Sequence, residues 1–170
     1  MPLNDLSIRA YAEADRDACR ALWAELTEHH RHIYDDASIG GPDPGGYFDT
    51  YLATPTRAAT WVAIHQSDVV GLTGLFDLGD HGEVEPVVVA ERVRGSGIGR
   101  LLIEHVLDEG RQRGFPYMTI QPVARNVSAI AAFHAVGFRA VGHIQLTIDL
   151  DRPGMRWRSG LTIHGLAMGW

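Results

Sequence analysis

Val87-Val88-Val89-Ala90-Glu91-Arg92-Val93-Arg94-Gly95-Ser96-Gly97-Ile98-Gly99-Arg100-Leu101-Leu102 changes its period midway. The three valines end a strand, a short link follows, the glycines make a turn, and Ile98, Leu101, Leu102 and Val106 then recur at helical spacing. A strand that passes through a Gly-rich turn straight into an amphipathic helix forms an anion site. Gly95, Gly97 and Gly99 let backbone N–H groups come close to an oxyanion, the helix N-terminus adds partial positive charge, and Arg94 and Arg100 add full charges. A diphosphate suits such a loop. Three glycines equally suit a tight turn that binds nothing, and glycine content alone does not separate the two. A dinucleotide fingerprint is disfavoured: G-x-G-x-x-G would need glycine where Arg100 stands, and the loop follows an antiparallel meander.

Upstream, the residues from Glu83 to Val89, from Val69 to Phe76 and from Trp61 to His65 read as three successive antiparallel strands. Polar turns at Gln66-Ser67-Asp68 and at 77–82 separate them. Pro86 donates no hydrogen bond, so within a strand it marks a bulge or an unpaired edge. Earlier still, Ser7 to Ala10 is a short first strand. Glu13 and Asp15 then sit where a helix dipole favours carboxylates, and a helix follows to about His30. The stretch 39–46 is rich in glycine and proline and reads as loop, with a short helix over Tyr47 to Leu52.

Downstream, the helix opened by Ile98 closes with Arg111 and Arg113 in its last turn, Gly114 beyond them and Pro116 next. Tyr117 to Val123 is a strand, and Val127 to Val136 a helix opened by Asn126 and closed by Gly137. Phe138 to Leu150 is strand-rich, and the tail adds one strand near Leu161 to Met168, a candidate for pairing across a homodimer. The order defines an α+β fold: a mixed, mostly antiparallel sheet with helices on both faces.

With 170 residues, 45% of them apolar, the chain suits a single domain over residues 1–170. Its first ten residues do not read as a signal peptide, no apolar run is long enough for a membrane span, and a lone Cys19 excludes an intrachain disulfide. Together these lead to an expected cytoplasmic location. A net charge of -6 argues against nucleic acid or anionic membrane as partner and leaves cationic acceptors compatible. All fifteen basic residues are Arg, which removes mechanisms that need a phosphate-binding, Schiff-base or general-base lysine.

The segment from Glu83 to Phe138 resembles the core of the GNAT superfamily of N-acetyltransferases. Arg94 to Gly99 matches R-x-x-G-x-G, and Asn126-Val127-Ser128-Ala129-Ile130-Ala131-Ala132-Phe133-His134-Ala135-Val136-Gly137-Phe138 is similar to the family's N-x-x-A-x-x-x-Y-x-x-x-G-F. The resemblance implies acetyl-CoA as cosubstrate, no metal, and direct transfer of the acetyl group to a primary amine of a small molecule or peptide. It implies that Val87, Val88 and Val89 face the pantetheine arm and that Gly95, Ser96, Gly97, Ile98, Gly99 and Arg100 hold the diphosphate. Asn126 would contact the pantetheine or cap its helix, and Ala129 and Phe133 would line the thiol end. Phe133 departs from the family's tyrosine, the usual proton donor to the departing thiolate, and phenylalanine cannot donate.

An acceptor ammonium must lose a proton before it attacks. Glu83 and Glu85, two apart on one strand, share a face and are both base candidates; they equally suit a solvated face or a cation-binding one. The segment after the first helix would wall the acceptor pocket, which makes His29, His32 and Tyr34 substrate-site candidates. His29 and His32 also share a helix face, yet no third metal ligand accompanies them. Cys19 and the four tryptophans read as packing or interface residues, and Arg152, Arg156 and Arg158 as a local basic patch. An acyl-CoA-sensing domain without turnover is the alternative reading, and an interaction domain that binds nothing at its glycine turn a third.

Overall fold

The computed structural model describes residues 5–148, 150 and 157–170. Five strands form one sheet in the order β1 (Leu6–Ala10), β2 (Arg57–His65), β3 (Asp68–Asp77), β4 (Gly82–Val89) and β5 (Met118–Thr119). The first three pairings are antiparallel and β4–β5 is parallel. Four helices accompany them among the described residues: α1 (Arg16–Tyr34), α2 (Tyr47–Leu52), α3 (Ile98–Gln112) and α4 (Val127–Val136).

Alternation along the strands sends side chains to two faces. Val62 and Leu72 meet Cys19, Leu22 and Phe48 of α1 and α2, while Trp61, Leu75 and Val84 meet Val106 of α3. Cys19 is fully buried and acts as a packed apolar residue; burial raises its thiol pKa to about 12. Arg9 donates through both Nη atoms to Asp15 at 2.7 Å, which ties β1 to the start of α1, and these bonds hold the carboxyl below its usual range.

Several expectations need correction. α1 runs four residues past His30, because no glycine or proline interrupts 31–34; it stops at Asp35, whose φ of 53° is left-handed. β5 pairs over two residues instead of the seven expected. β4 and β5 part after Glu83, which leaves 120–123 no strand to join, and Pro122 has no N–H to offer. The described residues of the Phe138–Leu150 stretch form no strand: the alternating pattern is there but no ladder partner is. The tail makes two strands, β6 (Leu161–Ile163) and β7 (Leu166–Met168), which pair with each other across a turn at His164 and Gly165. The single tail strand expected to pair across a dimer therefore finds its ladder partner within the tail. Arg152 and Arg156 lie outside the described residues; Arg158 donates to the Ile33 carbonyl at 3.4 Å.

The Gly/Pro loop is fastened to α1. Arg31 donates to the carbonyls of Ile39 and Gly41 at 2.8 and 2.7 Å, Thr27 to that of Pro44 at 2.9 Å, and Arg20 to Asp43 and Asp49.

Candidate active site

The sheet opens where β4 leaves β5. Ala90 donates to the Val70 carbonyl at 2.9 Å, so alternation points the backbone groups of Val88 toward β3 and those of Val87 and Val89 toward the open edge. Of the three valines, Val87 and Val89 thus present backbone to anything lying in the opening. The Val89 carbonyl already accepts from Arg94 Nε at 3.1 Å.

Below this edge, Thr73 pairs with Val87 and Leu75 with Val84, so Gly74 faces both Glu85 and Pro86. This is the bulge that Pro86 implied. Gly74 is required there: a Cβ would collide with Tyr51 Oη and with the Glu85 carbonyl. Tyr51 Oη shares a 2.8 Å hydrogen bond with Thr60 Oγ1, and burial raises the phenol to about 12, which keeps it neutral.

Glu83 and Glu85 lie on one face as their spacing requires. Glu83 is buried and accepts from Gln121 Nε2 at 2.8 Å. Glu85 keeps an exposed surface, yet the burial of its carboxyl, with the Glu83 charge adding to it, raises its pKa.

At the turn, Gly95 and Gly97 have φ of 76° and 92°, which only glycine adopts without strain, and a Cβ on either would stand in open space. Gly97 caps α3 without any side-chain bond. The N–H groups of Gly95, Ser96, Gly97, Ile98, Gly99 and Arg100 have no acceptor among the described residues, whereas Leu101 donates to the Gly97 carbonyl. Ser96 Oγ turns inward to the Val93 carbonyl at 2.6 Å, and Arg100 pairs with Glu104 at 2.7 Å. Free amides therefore outnumber free cations, and an uncapped helix end with six of them fits a diphosphate.

Asn126 caps α4: its side chain accepts from Ala129 N–H at 3.1 Å and from Ser128 Oγ at 3.0 Å. Ala129 and Phe133 are half-buried on that helix. Tyr34 carries the guanidinium of buried Arg125 on its ring at 4.7 Å, and Arg125 Nε also donates to the Trp170 carbonyl at 3.1 Å. His29 lies beside His30, and His32 is exposed; neither His29 nor His32 bonds Glu83 or Glu85. Among the described residues no three His, Cys, Asp or Glu side chains gather as a metal site.

Tyr51, Gln121 and Arg125 were not singled out from the sequence. Only Gln121 had a signal, as a polar residue within the expected strand Tyr117 to Val123; it stands two residues beyond Thr119, the partner of Glu83 and the last residue of β5.

A mixed sheet split after its fourth strand, with an uncapped helix end beside the split, leaves backbone groups free along one edge. The chain belongs to the Acetyltransferase (GNAT) family, whose model matches residues 17–138, a family that uses acetyl-CoA. It is 31% identical to N-alpha-acetyltransferase RimI of Mycobacterium tuberculosis over 141 residues, 81% of this chain and 80% of that protein. It is 32% identical to the peptidyl-lysine N-acetyltransferase YjaB of Escherichia coli over 98 residues, 57% of this chain and 60% of that one. The match to N-acetylaspartate synthetase of Danio rerio, at 29% identity over 63% of this chain, spans 38% of that protein. The chain thus covers less than two thirds of the latter two relatives. A GNAT-family acetyltransferase structure from Staphylococcus aureus superposes with a TM-score of 0.65 at 19% identity, covering 86% of this chain and 94% of that one. AAC(6')-Iy bound to a CoA-derived bisubstrate analogue gives a TM-score of 0.62 at 17% identity, covering 86% and 99%. At such identities the likeness to these structures is one of fold.

Proposed function

We propose that the protein transfers an acetyl group from acetyl-CoA to a primary amine of a small molecule or peptide. The observation that carries this reading is the run of six unpaired amides from Gly95 to Arg100, at an uncapped helix start beside the free edge of β4. Those amides would hold the diphosphate, with Arg94 and Arg100 adding charge. The outward backbone groups of Val87 and Val89 would hold the pantetheine arm, and Ala129 and Phe133 would line its thiol end. Acetyl-CoA supplies an acyl group activated as a thioester.

Glu85 is the group we assign to take the proton from the acceptor ammonium. Its raised pKa favours proton acceptance, and Glu83, fixed by Gln121, places a second negative charge where a cation would arrive. His29, His32 and Tyr34 belong to the acceptor side in this reading, Tyr34 through its hold on Arg125. A primary amine as acceptor agrees with the names of two relatives, the peptidyl-lysine N-acetyltransferase YjaB of Escherichia coli and the [ribosomal protein bS18]-alanine N-acetyltransferase of Salmonella typhimurium.

Phe133 motivates a second reading, an acyl-CoA sensor without turnover, since it removes the phenol that would protonate the thiolate. A thiolate is a good leaving group without protonation, so the transfer reading needs no acid. Thiol release from acetyl-CoA across a panel of amines and N-terminal peptides separates the two. Amine-dependent release above background is expected; tight CoA binding with no release from any amine would favour the sensor.

A further inference from the structure

One carboxylate stands inside the apolar stripe of α1. Ala18, Ala21, Leu22 and Leu26 recur at helical spacing, and Glu25 falls among them on the same face. Leu22 is buried and Leu26 packs on the core, while Glu25 is half-buried and gives its carboxylate to another element: Oε2 accepts from the backbone N–H of Glu91 at 2.7 Å. Glu91 opens a one-turn 3-10 helix (Glu91–Val93), the link between β4 and the glycine turn, and Ala90 before it gives no side-chain cap. Glu25 therefore supplies, from 66 residues away, the acceptor that the start of the link does not carry itself.

From Glu91 the bonds run on into the turn. Val93 N–H donates to the Ala90 carbonyl at 3.0 Å, Arg94 N–H to that of Glu91 at 3.2 Å, and Ser96 Oγ to that of Val93 at 2.6 Å. Ahead of them Ala90 donates to the Val70 carbonyl, so the ladder fixes the chain as far as Ala90 and Glu25 fixes the next residue. The other tether, Arg92 to Asp68 at 3.2 Å, joins two exposed side chains and contributes little. Val93 is buried at the end of the link, whereas Glu91 and Arg92 are exposed, and a groove of about 280 Å³ lies between Arg92 and the small side chains of Ala18 and Ala21. We propose that Glu25 is a positioning residue for the coenzyme: its bond to Glu91 sets the link, and through the link the aim of the Gly95–Arg100 amides on the diphosphate. This inference rests on the function proposed above. The charge of Glu25 taken alone has the opposite sign, because a carboxylate bound to the link repels a diphosphate on the turn that follows. Removing that charge therefore tightens CoA binding unless the bond shapes the site.

Calorimetric titration of CoA into the full chain and into two variants, with thermal unfolding of each in the absence of ligand, tests this. Leucine continues the stripe of Leu22 and Leu26 and accepts no hydrogen bond, so Glu25→Leu is expected to unfold at no lower temperature and to bind CoA about tenfold more weakly. Glutamine keeps an oxygen that accepts from the same N–H without the charge, and Glu25→Gln is expected to stay within about threefold of the unaltered protein. CoA binding as tight or tighter in a folded Glu25→Leu, with binding intact in the unaltered protein, would overturn the role of Glu25 alone. A loss in Glu25→Gln as large as in Glu25→Leu would overturn it as well, since the bond would survive where the affinity does not. No binding of CoA by the unaltered protein would instead overturn the proposed function, and this inference with it. Should the leucine variant not fold, Glu25→Ala removes the same acceptor and is read in the same way.

Discussion

Glu85 sits beside the β4 bulge with surface in water and a carboxyl whose pKa is raised by burial and by Glu83. A general base must be ionised, so the rate falls as pH drops through its pKa. The raised value places that fall at higher pH than an ordinary glutamate of about 4.3 would give. Glu85→Gln is expected to lower kcat/KM by about 10²–10⁴ and to remove the acid limb of the pH profile. A variant that keeps the limb would move the base to another group, Glu83 first. The two carboxylates were legible because period two needs only the sequence. Tyr51 was not, since its contact with Gly74 joins α2 to the middle of β3, and nothing local announces that meeting.

Among the elements, α2, α3 and α4 were legible from their boundaries. Asn126 and Gly137 close α4 from both ends, and Asn126→Ala is expected to cost about 1 kcal/mol in denaturant unfolding by removing the cap. A change within a few tenths would mean the cap is redundant. Gly99, within the first turn of α3, is separable in another way. Its φ lies outside the left-handed region, and a Cβ would meet only Val89 at 3.5 Å, an ordinary contact. Gly99→Ala is therefore expected to leave thermal stability unchanged, or to raise it by up to about 1 kcal/mol from helix propensity. CoA affinity should fall about tenfold, ~1.4 kcal/mol. Equal loss of stability and affinity would make Gly99 a packing residue instead. β5 and the stretch after Phe138 were misread for one shared reason. Alternation shows that a segment suits a strand, but pairing is settled by which edges are open, and that is a property of the assembled sheet.

Over the whole molecule, the sheet's split and the helix end beside it form one device. The antiparallel half, β1 to β4, is a continuous ladder buried on both faces by α1, α2 and α3, and it holds the turn at 95–97 against a fixed strand end. The other half is short: among the described residues β5 pairs with β4 alone, over two residues. Fold class and the glycine turn that opens α3 were readable because the elements and the turn are each written in consecutive residues. The path of the 39–46 loop was not, because Arg31, Arg20 and Thr27 hold it against α1 through contacts that leave no periodic signal. In the proposed reaction CoA is held first by the Gly95–Arg100 amides, and calorimetric titration of CoA into the unaltered protein and into Gly97→Glu measures that grip. Heat of one-site binding, reduced at least about tenfold in affinity by the carboxylate while thermal unfolding shows the variant still folded, is the predicted result; the same affinity in both proteins, or no binding in either, would contradict it.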